Sequence, residues 1–165
     1  MDIHRYERLW LAGALVLIVL FIGTITYGAV VVGVEMVSAS GGTIAPDEIP
    51  NDDRFSDPRV EQVGENEYEA YVIARQFLFQ PRQLRVPEGS TVTFYVTSPD
   101  VLHGFEVVGT NANMMVIPGQ VTKATVEFEE ARSYGVVCNE YCGAGHHTME
   151  GSIEVVPQSE WEGGN

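Results

Sequence analysis

An uninterrupted apolar stretch lies near the start of the chain. Residues 9–34 contain no charged side chain. A helix needs about 20 apolar residues to cross a bilayer, whereas the apolar core of a signal peptide has only about 7–15. The pattern therefore predicts one uncleaved transmembrane helix within an N-terminal segment, residues 1–36. The small residues at 37–40 are the one feature that favours a cleaved signal peptide instead.

Basic residues flank this stretch on one side only. Arg5 and Arg8 precede it, and the next basic residue is Arg54. Because cytoplasmic flanks are enriched in Lys and Arg, the N-terminus is predicted to be cytoplasmic and the rest of the chain to lie outside the membrane.

The next segment, residues 37–66, has neither a helical nor a strand period. It contains the pair Gly41 and Gly42, three prolines and several adjacent carboxylates. Such composition is typical of loops, and a long unstructured stretch is unusual inside a compact domain. We therefore predict an extracytoplasmic linker that lies along a partner subunit.

From residue 67 the pattern changes to an apolar–polar alternation of period two. Short runs of this kind recur, and turns rich in Pro, Gly, Ser and Asp separate them. The alternating apolar positions include Val92, Phe94, Val96, Val126, Phe128, Ile153 and Val155. Many short alternating strands predict an all-β sandwich or barrel over residues 67–157. Residues 158–165 are predicted to form a polar tail.

The charge balance is strongly acidic. The chain has 23 Asp and Glu against 9 Lys and Arg, a formal net charge of −14, and its only lysine is Lys123. A phosphate binder needs a basic surface, so nucleic acid is not expected as a partner. The composition resembles that of halophilic archaeal proteins; the plainer interpretation is an acidic extracytoplasmic domain.

The densest chemistry lies in residues 138–149, which carry two thiols, two imidazoles, a carboxylate and a thioether. These residues are Cys138, Glu140, Cys142, His146, His147 and Met149. Thiolate, imidazole and thioether are ligands that suit copper better than magnesium or calcium. Upstream, His103 follows a polar turn and begins an apolar run. One distant His together with a Cys/His/Met loop predicts a copper site in a β-sandwich.

The residues alone leave several sites open. A mononuclear blue-copper centre needs two His, one Cys and an axial Met, which would leave Cys138 surplus. Two thiolates can instead bridge two coppers, each with one His, and Met149 and the backbone carbonyl of Glu140 then complete the two coordination spheres. A disulfide or a Cys₂His₂ zinc site is also conceivable, but neither uses the Met. His147 is interpreted as a solvent-facing neighbour of His146.

The pattern Cys-x-Glu-x-Cys-Gly-x-x-His-x-x-Met, with a distant His before it, resembles the binuclear CuA motif of cytochrome c oxidase subunit II. The flanking segments are most similar to those of the B-type (ba-type) haem–copper oxidases, and the resemblance covers residues 67–157. It implies a cupredoxin-like Greek-key fold. The ligands it implies are His103, Cys138, Glu140, Cys142, His146 and Met149.

The resemblance also implies a function. The chain would be the electron-entry subunit of a respiratory terminal oxidase in the cell membrane. It would take electrons from cytochrome c or a small blue-copper protein and pass them to haem in subunit I, where dioxygen is reduced and protons are pumped. The alternatives are a membrane-anchored mononuclear copper carrier, a copper-delivery protein, or the CuA subunit of a nitric oxide reductase.

Three further roles are implied in the same way. Phe77 would be the aromatic residue that packs over the copper pair; otherwise it is a core Phe. Glu7 would stand at the mouth of a proton pathway into subunit I; otherwise it forms an ion pair with Arg5 or Arg8. The side chain of Glu140 would reach a magnesium ion at the interface with subunit I.

Overall fold

The computed structural model describes residues 4–31 and 41–161. The chain divides into two units, Met1–Val34 and Glu35–Asn165. The small residues at 37–40 and the last four residues of the predicted tail lie outside the described ranges.

The first unit contains one helix, α1 (Arg5–Val30), with 26 residues. At ~1.5 Å rise per residue it is about 39 Å long, enough to cross a hydrocarbon core of ~30 Å. None of its residues is buried within the chain, as expected for a helix whose apolar side chains face lipid. His4 and Glu7 cap its start: the His4 ring accepts a hydrogen bond from the Tyr6 N–H, and the Glu7 carboxylate accepts one from the His4 N–H.

The second unit is all-β, as predicted. Its strands are β1 (Val60–Gly64), β2 (Glu67–Arg75), β3 (Leu78–Gln80), β4 (Gln83–Pro87), β5 (Ser90–Thr97), β6 (His103–Val107), β7 (Asn113–Val116), β8 (Thr122–Phe128), β9 (Ser133–Val137) and β10 (Glu150–Val156). They form two five-stranded sheets. One has the order β1-β2-β5-β8 with β3 paired to β2, and the other has the order β4-β10-β9-β6-β7. The pairs β2–β5 and β4–β10 are parallel, and the others are antiparallel.

The alternating apolar positions fill the space between the two sheets. Aromatic side chains make the central contacts: the ring of Phe94 on β5 lies 5.5 Å from that of Phe105 on β6, and Phe128 on β8 lies 4.9 Å from Tyr134 on β9. This core continues without a break to Cys138, Cys142 and Met149, so the candidate ligands are anchored in the packed interior.

The predicted linker was wrong for residues 41–66. Residues 60–64 form β1, which pairs with β2, and residues 41–59 pack on the outer face of the first sheet. On β2, residues of both faces are consequently buried. The outer cluster consists of Ile44, Ile49, Phe55, Tyr71, Ile73 and Val121, with Tyr95 packed against it.

Residues 41–59, which we call the outer strap, have no period because they bury single side chains. Ile49 and Phe55 stand isolated among prolines and carboxylates, yet both are almost fully buried. Backbone hydrogen bonds from Gly41 to Val121 and from Ile44 to Gly119 fix the strap to the sheet. Isolated anchors of this kind carry no periodic signal, because periodicity reports a regular element with one buried face.

Candidate metal centre

Three neighbouring strands bring the candidate ligands to one end of the sandwich. His103 is the first residue of β6, Cys138 directly follows β9, and Met149 directly precedes β10. Since β6 and β10 both pair with β9, these three positions lie side by side. The loop 138–149 supplies the remaining donors.

The donor atoms converge. The Sγ atoms of Cys138 and Cys142 lie 3.8 Å apart. His103 Nδ1 is 3.9 Å from Cys138 Sγ, and His146 Nδ1 is 3.7 Å from Cys142 Sγ. Met149 Sδ lies 3.7 Å from Cys142 Sγ. Each cysteine sulfur atom thus has an imidazole nitrogen of its own.

The backbone supplies one more donor. The carbonyl oxygen of Glu140 lies 3.2 Å from Cys138 Sγ. The structure therefore gathers donor atoms of all six residues of the motif, and His103, Cys138 and Cys142 form a cluster whose ligand atoms all lie within 4.8 Å of one another.

Burial separates the donors from water unequally. His103 is completely buried, and Cys138, Cys142 and Met149 are buried as well. His146 is partly exposed and His147 exposed, in agreement with the solvent-facing position expected of His147. The centre therefore has a dry inner side and a single outward-facing imidazole.

Phe77 lies against the ligand loop. A Cβ atom added to Gly143 would lie 3.0 Å from the Phe77 ring, and one added to Gly145 would lie 2.5 Å from it. Gly143 also has φ +132°, which disfavours a side chain. The ring thus covers the loop between Cys142 and His146, and only glycine fits beneath it.

Polar contacts orient the buried imidazole. His103 Nε2 lies 2.8 Å from Asp100 Oδ1, which leaves Nδ1 facing Cys138. Burial raises the pKa of Asp100, but hydrogen bonds from the Gln76 N–H, His103 and the Val101 N–H outweigh it and leave that pKa below its usual value. Asp100 is thus held as a carboxylate, which can only accept hydrogen bonds.

The Cys142 thiol holds its proton in the metal-free protein. Burial raises the pKa of Cys142 to about 11, and the neighbouring Cys138 adds to the effect. A metal that binds Cys142 must therefore displace the proton from its sulfur, as thiolate sites do in general.

Sequence reasoning missed two residues at this end of the domain. Tyr141, between the two cysteines, is 73% exposed, and its ring lies 5.8 Å from that of His146. Gln76 donates a hydrogen bond from Nε2 to the Cys142 carbonyl oxygen at 2.5 Å. The position of Tyr141 between two predicted ligands was a signal that could have identified it as a site residue. No sequence feature set Gln76 apart from other polar residues.

The donor set fits copper. The separation of 3.8 Å between the sulfur atoms is far from the ~2.05 Å of a disulfide, and both cysteines are free. It matches two sulfurs bound to the same metal at ~2.3 Å. Soft sulfur and imidazole donors with a thioether at the rim are the set that copper selects.

Glu7 lies in the first unit, on α1. Its carboxylate caps α1, and within residues 4–31 no ion pair joins it to Arg5 or Arg8. The structure thus shows the carboxylate at the helix cap and not in the alternative ion pair with Arg5 or Arg8. The carboxylate is placed there by the free N–H groups and positive end of the helix dipole.

A β-sandwich that follows an apolar helix in sequence, with Cys, His and Met donors gathered at one end of the sandwich, defines a membrane-anchored, cupredoxin-like copper protein. Residues 61–156 match the family described as cytochrome C oxidase subunit II, periplasmic domain. A cytochrome c oxidase subunit 2 of Thermus thermophilus is 39% identical over 156 residues, which cover 93% of both chains.

Solved structures agree. A chain of a haem–copper terminal oxidase dimer, determined by cryo-EM, aligns with a TM-score of 0.75 at 34% identity, over 92% of this chain and 99% of that one. The periplasmic domain of a cytochrome oxidase subunit II from Bradyrhizobium japonicum shares the fold with a TM-score of 0.52 at 21% identity, over 56% of this chain and 86% of that one.

The chain belongs to the cytochrome c oxidase subunit II family. It is a subunit of a haem–copper oxidase, an oxidoreductase complex in which subunit I is its partner. The His/Cys/Cys cluster at the end of the sandwich is compatible with electron entry through copper.

Proposed function

We propose that this chain is the electron-entry subunit of its oxidase and holds a binuclear CuA centre. Cys138 and Cys142 would hold it through their thiolates and His103 and His146 through their imidazoles, and the Met149 sulfur and the Glu140 carbonyl oxygen would complete the set of donors. When bound, the copper pair would supply one-electron redox chemistry. The protein supplies a rigid, mostly dry frame that keeps bond lengths similar in both oxidation states.

One observation carries this proposal: Cys138 is not surplus. It is buried, its Sγ lies 3.8 Å from that of Cys142, and it has an imidazole nitrogen at 3.9 Å and a carbonyl oxygen at 3.2 Å. A mononuclear site built on Cys142 would leave these polar neighbours of Cys138 without a use.

The outward-facing side of the metal centre suits the docking of an electron donor. Phe77 covers the ligand loop, Leu78 follows it in sequence and is exposed, and Tyr141 within the loop is exposed as well, so these side chains offer apolar surface. We infer that a cytochrome c or small blue-copper donor docks on this surface and that Phe77 and the outward-facing His146 lie between donor and copper. Electrons then pass to haem in subunit I, which reduces dioxygen and pumps protons.

The oxidase is inferred to be of the B type, with a short subunit II and a single helix. The match to the Thermus chain over 93% of both lengths supports this. Because Arg5 and Arg8 precede α1, we infer a cytoplasmic N-terminus and a copper domain on the outer face. A magnesium ion at the interface with subunit I would use the partly exposed Glu140 side chain.

Copper stoichiometry tests the proposal. The full chain, purified in detergent and loaded with copper, is expected to bind two coppers and to show the purple colour and the hyperfine pattern of one electron shared by two nuclei. Cys138→Ser should abolish that pattern, because one thiolate cannot form both bridges. A single copper with a blue mononuclear spectrum in the unmodified chain would refute it.

Glu7 is proposed as the proton-entry residue, and its capping role supplies a control. Glu7→Gln keeps an acceptor for the His4 N–H but cannot carry a proton, whereas Glu7→Ala loses both functions. Slower turnover of the assembled oxidase in both variants, with copper content unchanged, supports proton entry. Slower turnover in Glu7→Ala alone assigns Glu7 to capping.

A further inference from the structure

The corner between β2 and β3 touches both sides of the metal centre. Gln76 stands at this corner, immediately after β2. Its backbone N–H donates to Asp100 Oδ2 at 2.9 Å, and its side-chain Nε2 donates to the Cys142 carbonyl oxygen at 2.5 Å. Its partners lie 24 and 66 residues away along the chain.

Asp100 extends this contact to the buried imidazole. Its Oδ1 lies 2.8 Å from His103 Nε2. Three hydrogen bonds therefore join the His103 ring to the Cys142 backbone without passing through the metal. Phe77, the next residue, packs on Gly143 and Gly145, so the same corner supports the loop by van der Waals contact as well.

We infer that Gln76 and Asp100 are positioning residues that join the His103 side of the metal centre to the Cys142 side. Asp100 fixes the tautomer and direction of His103. Gln76 holds Asp100 with its backbone and the ligand loop with its side chain. The geometry of the two sides is thus linked before any metal binds. The statement about copper depends on the proposed function; the statement about the tautomer does not.

The carboxylate determines which imidazole nitrogen is free. A carboxylate only accepts hydrogen bonds, so a neutral His103 ring in this contact carries its proton on Nε2 and has its lone pair on Nδ1. Asp100 is itself held by the Gln76 N–H, the Val101 N–H at 2.6 Å and the Ser98 hydroxyl at 3.1 Å. Such outer contacts orient metal ligands and tune the metal they bind.

The Gln76 amide acts on the peptide plane that follows Cys142. It donates to the carbonyl oxygen just before Gly143, whose φ is +132°. A rotation of that peptide would redirect the chain between the Cys142 thiolate and the His146 imidazole. Loss of the hydrogen bond should therefore affect the loop side of the centre rather than the His103 side.

The first experiment needs no copper. In the copper-free full chain in detergent, ¹⁵N NMR of the His103 ring is expected to show a single tautomer with the proton on Nε2. Asp100→Ala should produce a mixture of tautomers, and the matched surface control Asp57→Ala should not. An unchanged single tautomer in Asp100→Ala would overturn the inference, whatever metal the protein binds.

The second experiment tests, with copper bound, the hydrogen-bonded link that Gln76 makes between the two sides of the centre. Gln76→Leu keeps the size of the side chain and loses the donor; Gln76→Glu places an acceptor against the carbonyl. Both are expected to retain two coppers, to make the hyperfine couplings of the two nuclei less equal, and to shift the midpoint potential. The control Gln62→Leu removes a similar amide, which donates to the Gly64 carbonyl on β1, and should change neither.

Coupling between the two residues is the final criterion. If the corner joins both sides, the potential shifts of Gln76→Leu and Asp100→Ala should not add in the double variant, because the residues share one network. Additive shifts, or a Gln76→Leu spectrum identical to that of Gln62→Leu, would refute the inferred link between the His103 side and the Cys142 side of the centre. A wild-type chain with only one copper would refute the proposed function and leave the tautomer result intact.

Discussion

Two glycines lie between the ligands Cys142 and His146, and the Phe77 ring leaves no room for a side chain at either of them. An added Cβ at Gly145 would lie 2.5 Å from Phe77 Cδ2, and the ring is wedged against the loop. We predict that Gly145→Ala displaces Phe77 or the loop and weakens copper retention about tenfold, which corresponds to ~1.4 kcal/mol. Competition with a copper chelator measures this.

The matched control for that substitution is Gly135→Ala on β9. There the new methyl group would make an ordinary contact of 3.7 Å with Val108. Copper retention should be unchanged. If Gly145→Ala retained copper as well as Gly135→Ala does, the close fit between ring and loop would not constrain the ligands.

Glu140 offers two different groups to the centre, and a substitution separates them. The carbonyl oxygen lies 3.2 Å from Cys138 Sγ, whereas the side chain is partly exposed. Glu140→Gln should therefore leave the copper absorption and hyperfine spectra unchanged. Loss of copper in Glu140→Gln would contradict the assignment of the carbonyl oxygen as the donor.

Met149→Leu should keep both coppers but shift the midpoint potential, since an axial thioether mainly tunes that potential.

The outer strap shows how single anchors stabilise a strand from its second face. Phe55 is 1% exposed and packs edge-on against Tyr71, with ring centroids 6.1 Å apart. Phe55→Ala should lower the free energy of unfolding by about 3–5 kcal/mol, the usual cost of removing a buried Phe side chain. Urea unfolding of the full chain measures this.

The copper spectrum supplies the control for Phe55→Ala. The strap and the metal centre belong to different hydrophobic clusters, so the spectrum should not change. Val63→Ala, at a side chain that is 53% exposed, should cost far less. Equal costs for the two variants would show that the strap contributes little to stability.

An ion pair within the strap makes its stability depend on pH. The Arg54 guanidinium hydrogen-bonds Asp52 and holds the pKa of that carboxyl below its ordinary value. A depressed carboxyl pKa stabilises the fold above about pH 4 and loses this effect as the pH falls through the folded-state pKa.

Asp52→Asn should therefore reduce the free energy of unfolding at neutral pH, by up to about 1 kcal/mol for a pair this close to solvent. The difference from the wild type should shrink as the pH falls toward about 3. Urea unfolding at several pH values measures it. A difference that grew in acid would have the wrong sign for this pair.

At the scale of the whole molecule the dominant feature is the charge of −14. Such a charge should steer a cationic donor only where salt does not screen it, and at ~1 M salt the Debye length is only ~3 Å. We predict that electron-transfer rates from a cationic cytochrome fall between low salt and about 1 M and then change little up to about 4 M.

Beyond about 1 M salt, docking would rest on the apolar surface at Tyr141 and Leu78. Stopped-flow mixing of reduced donor with the assembled oxidase measures the rates. Tyr141→Ser should slow the reaction at high salt and leave the copper spectrum unchanged. A steep further fall between about 1 M and 4 M would show that charge still governs docking.

Local sequence patterns were enough to predict the helix and the strands, whose residues follow a regular period. The uncharged stretch determined α1, and the alternation around Phe94 and Ile153 determined strands, because helices and strands each impose their own period on the buried face. The cysteine loop with its upstream His indicated copper for a related reason: donors close in sequence can be recognised by type and spacing alone.

Tertiary structure alone decided what depends on contacts between distant residues. The outer strap is ordered because Ile49 and Phe55 bury single side chains on the second face of β2, and isolated anchors leave no period. Gln76 reaches Cys142 across 66 residues of chain. Such contacts arise only when the sheets bring strand ends together, so the donor types lay in the sequence while their arrangement and support lay in the fold.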